Sequence, residues 1–186
     1  NVRFVKIWIY VMLCNIREKE GIKMNEISNL SNYSSWLKTL VDLDETLWSK
    51  PISKGKWSVS EIIAHITAWD HHILSEVIPS VRKEKGMEYP DFEPFNKKAS
   101  DYAKSGISQS TLLIEAKDTR ELLVKELNEI PAEKLNKSLT SNGVTHCPHT
   151  GTPYSLKQIV KEFTDHDHHH KEQIIHFLKK NSFVGK

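Results

Sequence analysis

The sequence predicts an all-α four-helix bundle, and three observations carry that prediction. Four long stretches place apolar residues at three- and four-residue steps, the period of a helix face. Two of them open on Ser-x-x-Glu or Ser-x-x-Gln, the capping-box pattern that satisfies orphan N–H groups at a helix start. Glycine and proline cluster between these stretches instead of punctuating short strands, and no run alternates convincingly.

Taken in order, the first helix is expected over about residues 26–47, with Leu30, Tyr33, Leu37, Leu40, Val41 and Leu47 on one stripe. Pro51 to Lys56 reads as a loop. The second helix opens at Ser58 with Glu61 three residues on. It carries Val59, Ile62, Ile63, Ile66, Trp69, Ile73 and Val77 and fades after Pro79. A crossover follows, with a short helix around Phe95–Tyr102. The third long helix spans about Ser108 to Glu129, with Leu112, Leu113, Ala116, Leu122, Leu123 and Leu127 expected inside. Residues 138–154 form a polar loop. The last helix opens at Ser155, with Gln158 as its box partner, and runs to about Lys179; Lys179 and Lys180 suit the negative end of its dipole.

The bulk numbers narrow the function classes. A chain of 186 residues with 38% hydrophobic content supports one domain with a true core and not two. Lys+Arg 26 against Asp+Glu 24 gives a formal charge of +2, so no global charge argues for nucleic acid or a membrane surface. Cys14 and Cys147 make no disulfide framework and fit a reducing compartment, hence a cytoplasmic protein. The apolar run Ile7–Leu13 is too short to span a bilayer, which takes roughly 20 residues. The chain opens on Asn1; the expectation is that Met24 is the natural start, residues 1–23 an upstream extension, 24–180 the bundle and 181–186 a tail.

Histidine is the compositional oddity. Five of the ten fall between His166 and His176. The buried stripe of the last helix can be followed as Leu156, Ile159, Phe163, His166, His170, Ile174 and Phe177, so two imidazoles stand where an apolar side chain is due. At i, i+4 their Cβ atoms are roughly 5–6 Å apart. That spacing lets both rings reach one ion. Burying them without partners would instead cost a few kcal/mol, roughly. His168 and His169 point away from this stripe, and His176 lies farther along. Asp165 and Asp167 flank the pair and could orient ring N–H groups. A third ligand should come from another helix. His65, at the edge of the second stripe, is the best candidate, ahead of His71 and His72. Asp70 and Gln173, each near a stripe position, are candidates for substrate contact. The run Thr145-His146-Cys147-Pro148-His149 is too tight for a four-ligand zinc knuckle and reads as a loop. The aromatics show no spacing that marks nucleic-acid stacking.

These residues carry a resemblance. Trp57-Ser58-Val59-Ser60-Glu61-Ile62-Ile63-Ala64-His65 resembles the second-helix signature of the DinB/YfiT-like superfamily, in which Trp-Ser opens the helix and a metal-binding His follows. His166-Asp167-His168-His169-His170-Lys171-Glu172-Gln173-Ile174 is similar to its last-helix motif, His-x-x-His-His-Arg-x-Gln-Ile, whose first and third histidines map onto His166 and His170. Lys171 stands where the family often has Arg, which gives up a bidentate anion contact. Glu172 stands where Gly is common.

The resemblance implies an up-down-down-up bundle, a homodimer, and one divalent ion, zinc or nickel, on His65, His166 and His170. It also implies a metal-dependent enzyme that activates water or a low-molecular-weight thiol such as bacillithiol. The outcome would be hydrolysis of, or S-transfer to, a small electrophilic substrate. Two rival readings remain at this point: a non-enzymatic bundle that binds a small ligand or metal under stress, and a surface tract that merely sequesters metal.

Overall fold

The computed structural model describes residues 25–182. The expectations for residues 1–23 and for 183–186 lie outside that range. Within it the chain forms α1 (Asn25–Leu37, extended by a 3-10 turn Lys38–Leu40), α2 (Glu45–Ser49), α3 (Val59–His72), α4 (Ile78–Arg82), α5 (Phe92–Ala103), α6 (Gln109–Asn128), α7 (Ala132–Asn136) and α8 (Leu156–Ser182). A π-helical turn, Ile73–Val77, joins α3 to α4. Among the described residues there are isolated bridges in the loops but no strand. No helix among them is long and apolar enough to cross a membrane.

Four departures from the sequence-based expectations have local causes. The first helix does not run unbroken to residue 47. Asp44 is extended, and its Oδ1 accepts from Thr46 N–H at 2.9 Å and Leu47 N–H at 3.3 Å, which starts α2 as a separate helix. Val41, expected on the stripe, is exposed. The second helix continues through Pro79. A proline clashes with the carbonyl four residues back, and the preceding π turn, where Ile78 N–H donates to Ile73 O, lets Pro79 enter at the first turn of α4. In α6, Leu122 is exposed and Arg120 is buried in its place. At α8, Ser155 Oγ accepts from Gln158 N–H at 3.2 Å, but the Gln158 side chain donates to Glu162 at 3.1 Å, so the box is half closed. The helix reaches Ser182, past the expected start of a tail.

Two apolar clusters fill the bundle and fix its topology. One gathers Leu30 of α1, Ile73, Val77 and Val81 from the α3–α4 rod, Leu123 and Leu127 of α6, and Leu156, Ile159 and Val160 of α8. The other gathers Tyr33 and Leu37 of α1, Ile62 and Ile66 of α3, Leu112 and Ala116 of α6, and Ile174 and Phe177 of α8. The residue numbers rise from the first cluster to the second in α1 and α8 and fall in α3 and α6. The order is therefore up-down-down-up. Parallel α3 and α6 need a long return, and α5, packed on α3, provides it. Cys147 is buried in the first cluster.

The start of α3 is built as its sequence suggests. Ser58 and Glu61 close a full capping box, and the buried Glu61 carboxylate also accepts from Ser100 Oγ at 2.6 Å and Lys104 Nζ at 2.5 Å on α5. Burial alone would raise this carboxyl, but the bonds from Lys104, Ser100 and Ser58 outweigh it and hold the group below its ordinary 4.5. Its contribution to stability is therefore present above that value and lost as pH falls below it. Glu61→Gln should cost about 1.5–3 kcal/mol at pH 7. In urea titrations the difference from the parent should shrink as pH falls below 4.5.

Candidate metal centre

Between the two apolar clusters lies a polar layer with three histidines in it. His65, from the middle of α3, is buried; His166 and His170, one turn apart on α8, are half-buried. Their Nε2 atoms face one another. His65 Nε2 is 3.0 Å from His166 Nε2, which is 3.1 Å from His170 Nε2. All three nitrogens fall within 4.8 Å of each other, the one such three-ligand cluster among the described residues.

Hydrogen bonding alone accounts poorly for this convergence. His166 Nε2 contacts two other Nε2 atoms and has one hydrogen or one lone pair to offer. Three lone pairs aimed at one cation resolve the conflict. Nitrogens 2.0–2.1 Å from a single ion stand roughly 2.9–3.4 Å apart in octahedral or tetrahedral arrangements, which brackets both short distances. The donor set fits a divalent transition metal. Burial, reinforced by repulsion from His166 and His170, holds His65 well below the usual histidine range; burial and His166 push His170 down to about 3. Both rings are therefore neutral near pH 7, the form that donates a lone pair.

The outward Nδ1 atoms meet different neighbours. His170 Nδ1 is 2.9 Å from Gln173 Oε1, an acceptor one turn on that fixes the Nδ1–H tautomer and leaves Nε2 bare. His65 Nδ1 lacks a hydrogen-bond partner, yet Asn96 of α5 stands close enough to favour its protonated form. The Asn96 Oδ1 is held by Trp69 Nε1–H at 3.1 Å. His166 Nδ1 is 3.8 Å from Asp167 Oδ1, and neither atom has a hydrogen-bond partner. Trp57, the residue before the α3 cap, covers the cluster, its ring 4.8 Å from His65 and 6.3 Å from His170 between centroids.

Asp70 does not face this cluster. Both its oxygens accept from Arg120, Oδ2 from Nε at 2.7 Å and Oδ1 from Nη2 at 2.9 Å, and it is 1% exposed, so it is closed to substrate. Gln173 orients His170. His168 and His176 are exposed, and His169 lies outside the cluster. His71 pairs with Thr119 and Glu115, and His72 with the Glu88 carbonyl. His146 in the long loop contacts Thr145.

The residue that sequence reasoning missed is Arg120. It is 0% exposed and also donates from Nη1 to Asp167 Oδ2 at 2.5 Å and to the Leu30 carbonyl at 3.4 Å, while Tyr33 places its ring 4.5 Å from the guanidinium carbon. The signal was available, since the stride Leu112, Ala116, Arg120, Leu123, Leu127 keeps three- and four-residue steps through the charge. Burial opposes the guanidinium charge, but Asp167 and Asp70 hold it protonated. One cation cannot compensate two buried carboxylates equally. Arg120 outweighs burial at Asp167 and keeps it low; at Asp70 burial wins and the carboxyl rises to about 7.

A family model described as the DinB superfamily matches residues 31–174. Among solved structures the chain is similar to YfiT from Bacillus subtilis, described as a probable metal-dependent hydrolase with an unusual four-helix bundle topology. The two are 15% identical, with a TM-score of 0.66 over 90% of this chain and 94% of that one. No curated protein sequence matches this chain.

Loss of an acceptor behind a ligating histidine typically lowers metal affinity by about 10–100-fold. Gln173→Leu should therefore weaken Zn(II) binding by about tenfold in competition with a chelating dye, with the helical circular dichroism unchanged.

Proposed function

The chain belongs to the DinB superfamily, and on that premise we propose that it is a metal-dependent enzyme whose divalent ion is held by His65, His166 and His170. The observation that carries this reading is the convergence of three Nε2 atoms, with one ring buried and two partly buried. Three neutral donors leave coordination positions for a reactant, the mark of a catalytic rather than a structural site.

The chain's own groups have distinct tasks. His65 and His170 stay neutral and so keep lone pairs to offer an ion. Gln173 keeps the His170 proton on the outward nitrogen. Trp57 lies over His65 and His170 and shields that side from water. A zinc or nickel ion bound there supplies Lewis acidity, lowering the pKa of a neighbouring thiol or water. The substrate class is a small electrophile, attacked by a low-molecular-weight thiol of the bacillithiol kind or by water. The description of YfiT supports the hydrolytic arm.

The test is the consumption of monochlorobimane with added thiol and of p-nitrophenyl acetate without it. Metal-loaded parent should turn over at least one of them with saturation, His166→Ala should reduce the rate at least 100-fold, and His168→Ala should leave it within about twofold. Stoichiometric metal with neither activity would instead make the protein a binding bundle.

A further inference from the structure

We infer that Arg120, with Asp70 behind it, is a positioning residue for the metal centre: it dictates which oxygen of Asp167 faces His166, and so which nitrogen of His166 is free to bind metal. The inference rests on the three-histidine reading above and adds to it a partner buried between the helices.

The geometry gives Asp167 two unlike oxygens. Oδ2 is taken by Arg120 Nη1–H at 2.5 Å. Oδ1 is buried, lacks a hydrogen-bond partner and stands 3.8 Å from His166 Nδ1, itself buried and without one. Two orphaned atoms of opposite character this close are costly apart and complementary together. With the proton on Nδ1, the ring donates to Oδ1, and Nε2 keeps its lone pair toward His65 and His170. Arg120 cannot swing away. Asp70 holds it through two bonds, the Leu30 carbonyl accepts a third, and the Tyr33 ring closes one face. Asp70, Asp167 and Leu30 come from α3, α8 and α1, so the clamp ties together both helices that carry the histidines.

A guanidinium has only donors, which yields a specific consequence. In Asp167→Asn the carboxamide oxygen must face Arg120, and the –NH2 group is then left toward His166 Nδ1. Two donors cannot face each other, so His166 moves its proton to Nε2, the metal-facing atom. The substitution is nearly isosteric and leaves Arg120 paired with Asp70 one to one, so the fold should persist. Replacing the clamp as a pair, in Asp70→Leu/Arg120→Met, frees the carboxamide to rotate; removing both members of a buried ion pair together is often tolerated.

The experiment measures Zn(II) affinity by dye competition, and the visible spectrum after Co(II) loading, in the parent, in Asp167→Asn and in Asp167→Asn/Asp70→Leu/Arg120→Met. We expect Asp167→Asn to bind Zn(II) about 100-fold more weakly at an unchanged thermal midpoint, with an altered Co(II) ligand-field band. The triple variant should recover at least tenfold of that affinity. A purely structural clamp would show the reverse, with stability falling and the Co(II) spectrum untouched. Parent-like affinity and spectrum in Asp167→Asn overturn the inference whether or not the triple variant folds. A parent that binds neither ion overturns it together with the metal reading.

Discussion

A guanidinium removed entirely from water fixes the layout of this bundle. Placing the charge of Arg120 in the interior costs several kcal/mol, roughly, unless its donors are filled. They are filled by groups from α1, α3 and α8. No one of these helices can slide or rotate far without breaking a bond to a buried charge. The layer that results lies between two apolar clusters, and the histidines sit in it. Apolar packing would tolerate several helix registers, whereas a bidentate pair tolerates few. The clamp thus sets the height at which His65 on α3 meets His166 and His170 on α8.

Topology does related work. Running α3 and α6 in parallel requires a crossover, and that crossover carries α5 across the side of α3 nearest the histidines. From there Asn96 reaches His65 and Trp69, and Ser100 and Lys104 reach Glu61 at the start of α3. The helix that bears His65 is consequently tied down at its cap and beside its ligand by one segment. An up-down-up-down bundle with short loops would have no such segment.

Much of this could be read from residue order. Ser58 with Glu61 marked the start of α3, the stripe through His166 and His170 marked two imidazoles at inward positions, and Gly and Pro marked the breaks. The rest was hidden for definable reasons. Asp44 ends one helical pattern by capping the next, a competition that apolar periodicity does not register. Arg120 lies on the α6 stripe, but a charge there looks like a solvent-facing residue until its two carboxylate partners, 50 and 47 positions away, are in place. Asp70 invited a role beside the reaction for the same reason, being a carboxylate on a helix that also bears a ligand.

The account stands on one claim, that His65, His166 and His170 hold a single metal ion. Elemental analysis tests it most directly, on untagged protein loaded with zinc or nickel and then desalted. The account predicts about one equivalent per chain in the parent and in His168→Ala, and essentially none in each of His65→Ala, His166→Ala and His170→Ala. No stoichiometric metal in the parent, or equal loss from His168→Ala and His170→Ala, would contradict it.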